Sequence, residues 1–288
     1  MQSLEKQWVT ACLDGSNLTN DIIDYAAWIA EKVNSPLELL HSIEHSLLLA
    51  NIDQTGNLVP NMADNLMAVL SEEEANENKL HIQEGKALLA RAKDRLKGRP
   101  IKDVITKQRH GSLSECLMDL EDEIRVLVVG FRGKTTPEDE TGISEQLEES
   151  IRALHKPIFI VNGDFAVPQS LMLAYNNTDG AKKALDMICR SPLFEDMTIH
   201  CVHAVKESGA DKDILQQAAE QLSLSGRRFE TALLSGDPQT ELLAYQAKHH
   251  LDMTVMGAFN HGKLRSLFFG SFTLKMLKNN QKSVLLIR

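Results

Sequence analysis

The chain has 288 residues, enough for one large or two ordinary domains, each with a core of its own. With 43% apolar and 25% charged residues, its composition is that of an ordinary globular protein and excludes a disordered chain. A formal net charge of -9 excludes a general nucleic-acid binder, which needs a basic surface to displace counterions.

The opening stretch, MQSLEKQWVTACLDG, lacks a basic-then-apolar signal pattern, and no apolar run approaches the roughly 20 residues that span a bilayer. No membrane partner is expected, and the expected location is the cytoplasm. The four cysteines, Cys12, Cys116, Cys189 and Cys201, are scattered without a Cys-x-x-Cys pair. Three sit in or beside apolar runs, so they are expected to be small buried side chains.

From Trp8 the chain repeats itself. Trp8–Ala30 and Ser170–Cys189 each give a short apolar strand, a polar turn and an amphipathic helix. The turns read Asp14-Gly15-Ser16 and Asn176-Asn177-Thr178. Strands over Leu37–Ile43 and Met197–Val205 follow, then charged helices, then strands over Ile101–Lys107 and Arg228–Leu234. In the first half a helix over Glu72–Leu96 is expected, preceded by an insertion, residues 45–71, that holds at least one short helix and packs as a surface loop or covers a ligand. His110-Gly111-Ser112-Leu113 and Ser235-Gly236-Asp237-Pro238 each open a helix. Two apolar strands then end in glycine, Val126–Gly130 and Met253–Gly257, and each half closes with a helix and a strand, at Pro157–Val161 and Ser283–Ile287.

Each half therefore reads β-α-β-α-β-α-β-α-β. Short, nearly continuous apolar strands between amphipathic helices predict an α/β fold: two tandem, open, five-stranded, mostly parallel sheets with helices on both faces. The domains are expected at 1–162 and 169–288, with the boundary in Asn162–Gln169, where glycine, proline and polar residues break the pattern. Ligands of such sheets bind beyond the carboxyl ends of the strands, which puts the turn after the first strand and the loop after the fourth in one site.

The final stretch carries the strongest signal. After Gly257 comes a loop with Asn260, Gly262, Lys263 and Arg265, and Gly270-Ser271 then opens a helix. Glycines let backbone close on a ligand, and free N–H groups at a helix start favour an anion. This stretch resembles the C-terminal signature of the universal stress protein family: a Gly-x-x-Gly pair, a spacer and Gly-Ser or Gly-Thr before the last helix. Gly257, Gly270 and Ser271 match; Asn260 stands where the second glycine usually lies, with Gly262 two residues on. Both halves are similar to that family, so the resemblance implies a tandem member with a Rossmann-like fold in each half.

Some members of the family bind ATP or another adenine nucleotide and others do not. The resemblance implies base and ribose contacts near the acidic residue after the first strand and the backbone after the second, with phosphates on the glycine loop. In the second half those positions are Asn176, Ala204, Gly257, Asn260, Gly262, Gly270 and Ser271, with asparagine replacing the acid. In the first half Asp14, Gly130 and Gly133 match, but Lys134–Thr141 is acidic and Ser144-Glu145 replaces the Gly-Ser. The second half is therefore the expected site for ATP or AMP, and the first a weaker, degenerate one.

No nucleophile with an evident base accompanies these residues, so binding rather than turnover is expected. No metal is expected either: His200 and His203, three apart on a strand, face opposite sides. A scaffold in which both sites have decayed is the competing reading, and the sequence specifies no protein partner. Finally, PIFIV (Pro157–Val161) and SVLLIR (Ser283–Arg288) are apolar on both faces and would be exposed edges. Their pairing is expected to join the halves as an internal pseudo-dimer.

Overall fold

The computed structural model describes residues 7–43, 60–133, 145–206, 212–257 and 271–288. The first half runs β1 (Trp8–Cys12), α1 (Thr19–Lys32), β2 (Leu37–Ile43), α2 (Pro60–Arg95), β3 (Val104–His110), α3 (Leu113–Leu120), β4 (Ile124–Gly130), α4 (Glu145–Ala153) and β5 (Ile158–Val161). The second runs β6 (Ser170–Ala174), α5 (Asp179–Arg190), β7 (Thr198–Val205), α6 (Lys212–Leu224), β8 (Arg228–Ser235), α7 (Pro238–Lys248), β9 (Met253–Gly257), α8 (Ser271–Asn279) and β10 (Ser283–Ile287).

All ten strands form one sheet, ordered β3-β2-β1-β4-β5-β10-β9-β6-β7-β8. Within each half every pairing is parallel; only β5 and β10 run antiparallel, with Leu285 opposite Phe159 and Val284 opposite Ile160. The expected edge pairing is thus present, and it turns two five-stranded sheets into one continuous surface. Its physical cause is burial on both faces. Phe159, Val161, Leu285 and Ile287 join the core layer under α1, α2, α5 and α6, while Ile158, Ile160, Val284 and Leu286 join the layer on the opposite side. Phe159 packs on Tyr25 and Trp28 of α1, with ring centroids 5.1 and 6.4 Å apart.

Polar contacts repeat the exchange. Arg288, just past β10, donates from Nη1 to the carbonyls of Ile151 (2.9 Å), Arg152 (3.2 Å) and Leu154 at the end of α4. Asn162, just past β5, donates from Nδ2 to the carbonyl of Asn280 at the end of α8, 2.6 Å away. Each half's last strand therefore leads to a residue that closes the other half's last helix, satisfying carbonyls that a helix end leaves unpaired.

Two expectations need correction. The long first-half helix begins at Pro60, not Glu72, because proline suits the first helical position and the following residues continue the helix without a break. Residues 45–59, the remainder of the expected insertion, lie outside the described residues. β3 begins at Val104, three residues later than Ile101, because Gly98 takes a left-handed φ of +84° and Pro100 follows it before pairing with β2 can start. That strand is an edge, half-exposed along its length, so its polar residues 107–110 hide it from a pattern search. The helix starts at α3 and α7 are as expected. Ser112 and Glu115 form a reciprocal capping box, and the Asp237 side chain accepts from the Thr240 N–H ahead of Pro238.

Candidate functional site

In each half the strand order reverses beside the first strand, between β1 and β4 and between β6 and β9. The crevice at such a switch point opens at the carboxyl ends of the strands. Two turns of matching construction stand there. Asp14 Oδ1 accepts from the Ser16 N–H at 2.9 Å, and Gly15 between them has φ +78°. Asn176 Oδ1 accepts from the Thr178 N–H at 3.4 Å and from its hydroxyl at 2.7 Å, and Asn177 between them has φ 59°. Both are side-chain turns needing only an acceptor oxygen and a residue that tolerates the left-handed region. Asparagine therefore replaces aspartate without loss of the turn, while the negative charge is lost.

A histidine on the neighbouring strand secures each turn. His41 Nδ1 lies 2.6 Å from the carbonyl oxygen of Leu13, and His203 Nδ1 lies 2.8 Å from that of Tyr175. A carbonyl can only accept, so each Nδ1 carries its proton and Nε2 is left as an acceptor in the neutral ring. Sequence reasoning missed this pair as a device. The signal was available: LLHSI and CVHAV occupy the same place in the repeat. Ala204, the expected second-strand contact, follows His203 directly and is half-buried.

Gly257 ends β9, and a Cβ there would lie 2.5 Å from the carbonyl carbon of Gly180 and 2.7 Å from the Ala181 nitrogen. The backbone of α5 thus passes too close for any other residue. Gly130, its counterpart on β4, is less tight, with Ile22 Cδ1 at 3.1 Å and the Arg132 carbonyl at 3.2 Å. Asn260, Gly262 and Gly270 lie outside the described residues, as does the side chain of Ser271, whose backbone opens α8.

In the first half the structure brings the expected residues together. Asp14, Gly130 and Gly133 line one cleft of about 580 Å³, with His41 and Ser42 from β2, Arg132 after β4, and Glu84 and Arg91 from α2. The contribution of α2 was not legible in sequence, because nothing in a 36-residue helix says which of its faces meets the crevice. Cys12 sits at the floor, where burial and then the nearby Glu38 carboxylate push its thiol far up and keep it protonated. It is no nucleophile there. Burial likewise pushes Cys201, on β7, up to about 12.

A sequence profile of the universal stress protein family matches residues 8–162 and 169–288. The chain belongs to the universal stress protein family. It is 28% identical to the universal stress protein Slr1230 of Synechocystis sp. over 284 residues, covering 97% of this chain and 99% of the relative. Among solved structures, a universal stress protein from Archaeoglobus fulgidus superposes with a TM-score of 0.75 at 15% identity, covering 99% of both chains. A putative universal stress protein from Pseudomonas aeruginosa UCBPP-PA14 superposes with a TM-score of 0.60 at 14% identity, over 98% of this chain and 92% of that one. These likenesses show that the fold is shared with those chains over nearly their whole length. Among the described residues of this universal stress protein, no group of three or more His, Cys, Asp or Glu side chains is placed to hold a metal. No helix among them is long and apolar enough to cross a membrane.

Proposed function

We propose that this universal stress protein works in the cytoplasm by binding a small ligand, an adenine nucleotide held in its second half, and serves stress response through binding rather than turnover. The reading treats residues 1–162 and 169–288 as two units and assigns the ligand to Asn176, Ala204, Gly257, Asn260, Gly262, Gly270 and Ser271. The observation that carries it is the juxtaposition at one sheet edge of the Asn176 turn, the His203–Ala204 end of β7 and Gly257, which leads into the glycine loop before α8. A helix start of Gly270-Ser271, free of carboxylates, suits phosphate. Asn176 has spent its oxygen on Thr178, so it would meet a base or ribose through its amide N–H groups.

A second reading, an interaction scaffold with both sites decayed, draws on particular observations. The Asn176 turn and Gly257 each have a sufficient packing reason without any ligand. Native mass spectrometry of gently purified protein, titrated with ATP and AMP against a Gly270→Glu variant, separates the two. Bound nucleotide that weakens strongly in the variant supports the second-half site. No nucleotide on either protein favours the scaffold.

A further inference from the structure

The ten-stranded sheet ends in two open edges, β3 and β8. An open edge presents unpaired backbone N–H and C=O groups, and proteins blunt it with inward-turned charges, bulges, prolines or lysines. β3 is blunted in this way. Lys107 reaches inward to Glu38 at 2.7 Å and to Glu123 at 2.8 Å, and Arg109 pairs with Asp119 at 3.1 Å. Gln108 is drawn onto α2, donating to the Ile82 carbonyl at 3.2 Å.

The edge at β8 carries none of these devices. Arg228–Ser235 contains no proline or lysine, and it pairs with Thr198–Val205 in unbroken register, without a bulge. Its two charges have opposite sign and reach back toward β7. Arg228 donates to the Asp196 carbonyl, and the Glu230 carboxylate lies 3.7 Å from His200 Nδ1. The strand therefore has no net charge with which to repel a copy of itself. Thr231 is exposed, and Ala232, Leu233 and Leu234 after it are apolar and only half-buried. Leu224, which ends α6 just before β8, is 91% exposed and adds apolar surface beside the start of the strand.

Backbone direction decides what this strand accepts. The Gly236 N–H, at the end of β8, points to the Val205 carbonyl of β7 at 2.9 Å. By the two-residue alternation of a strand, the N–H and C=O groups of Phe229, Thr231 and Leu233 face the open side. An antiparallel copy centred on Thr231 sets Thr231 opposite itself and Phe229 opposite Leu233 twice. Phe229 and Leu233 both pack on the core layer under α6, so all these side chains lie on one face of the sheet. Cross-strand threonine and apolar pairs stabilise such a contact. Pairing β3 with β8 of another copy would instead run head to tail without closing.

We infer that β8 is a self-docking edge: two copies of the chain associate through antiparallel β8 strands about a two-fold axis at Thr231, and the sheet runs on through both molecules. The β5–β10 seam solves the same problem inside one chain. The association is independent of nucleotide and of which half binds one.

Sedimentation velocity of the full chain over a concentration series is expected to show a reversible dimer. Thr231→Lys should weaken it about tenfold or more by setting like charges opposite each other, while Thr231→Val retains it. Because position 231 is exposed, the melting temperature of dilute protein should not change. A second measurement tests the register. Opposed hydrogen-bonded residues of an antiparallel pair have Cα atoms about 5.5 Å apart, within reach of a disulfide. Thr231→Cys should therefore cross-link two chains under mild oxidation, and Thr106→Cys, also exposed but on the β3 edge, should not. A monomer at every concentration overturns the inference, including one that captures extended peptides instead of itself. So does a dimer unaffected by Thr231→Lys, or cross-linking of Thr106→Cys as efficient as that of Thr231→Cys.

Discussion

The ring of His203 lies 2.8 Å from the carbonyl oxygen of Tyr175, across the junction of β7 and β6. That bond holds the residue immediately before Asn176, and so sets the direction in which the turn leaves the sheet. His41 and Leu13 repeat it at 2.6 Å in the first half.

Replacing His203 by Phe should leave the Tyr175 carbonyl without its buried donor and lower stability by about 1–3 kcal/mol, measured by urea unfolding. In the unsubstituted protein, nitrogen-15 spectra of both rings should report the proton on Nδ1. A proton on Nε2 at neutral pH would contradict the bond as described.

Gly257→Ala should destabilise by roughly 1–3 kcal/mol, because the new methyl meets backbone atoms of Gly180 and Ala181 that cannot rotate away. Gly15→Ala is the instructive contrast. Nothing lies within 4 Å of its would-be Cβ, so any cost comes from the φ of +78° alone and should be about 1 kcal/mol. Chemical denaturation of both variants ranks them, and a milder effect at 257 than at 15 would go against the close approach of α5.

Much of this arrangement was legible in the sequence. β2, β9 and β10 could be placed to the residue because they are buried apolar runs bounded by turn residues, and the pairing of β5 with β10 followed from their having no polar face to give to water. The edge strand β3 was misplaced because its exposed residues carry no alternation, and α2 began earlier than expected at Pro60. The site was harder. Asp14 and Asn176 stood out as turn residues, but the histidines behind them are identified by a partner carbonyl on another strand, 28 residues away in sequence. Gly257 was legible as a glycine, yet the crossing of α5 that requires it was not.

Removing Val284–Arg288 should expose the β5 edge, including Phe159, and free the α4 carbonyls that Arg288 holds. Aggregation on size-exclusion chromatography is the expected outcome. A monomeric truncation with unchanged melting would show that the two halves do not depend on this seam. Phe159→Ala, a milder test, should cost about 3–5 kcal/mol.

His200, on β7, gives stability a pH dependence. Its burial, with a smaller contribution from His249, lowers its pKa, against the opposing pull of Glu230. The folded chain therefore resists a proton that the unfolded chain accepts. Stability should be undiminished above the unfolded pKa of about 6.5 and fall as the pH drops from there toward the depressed folded value. A His200→Gln variant should show a flatter profile between pH 7 and 5 in urea unfolding; an unchanged slope would assign the acid sensitivity elsewhere.

Hydrogen–deuterium exchange of the full chain, with and without saturating ATP, tests nucleotide binding in the second half most directly. Protection is expected in peptides spanning Asn176–Ala181 and Gly257–Met276, the stretches that carry the turn, the glycine loop and the start of α8. Unchanged exchange in both peptides at saturating ATP would contradict it and leave the scaffold reading in its place.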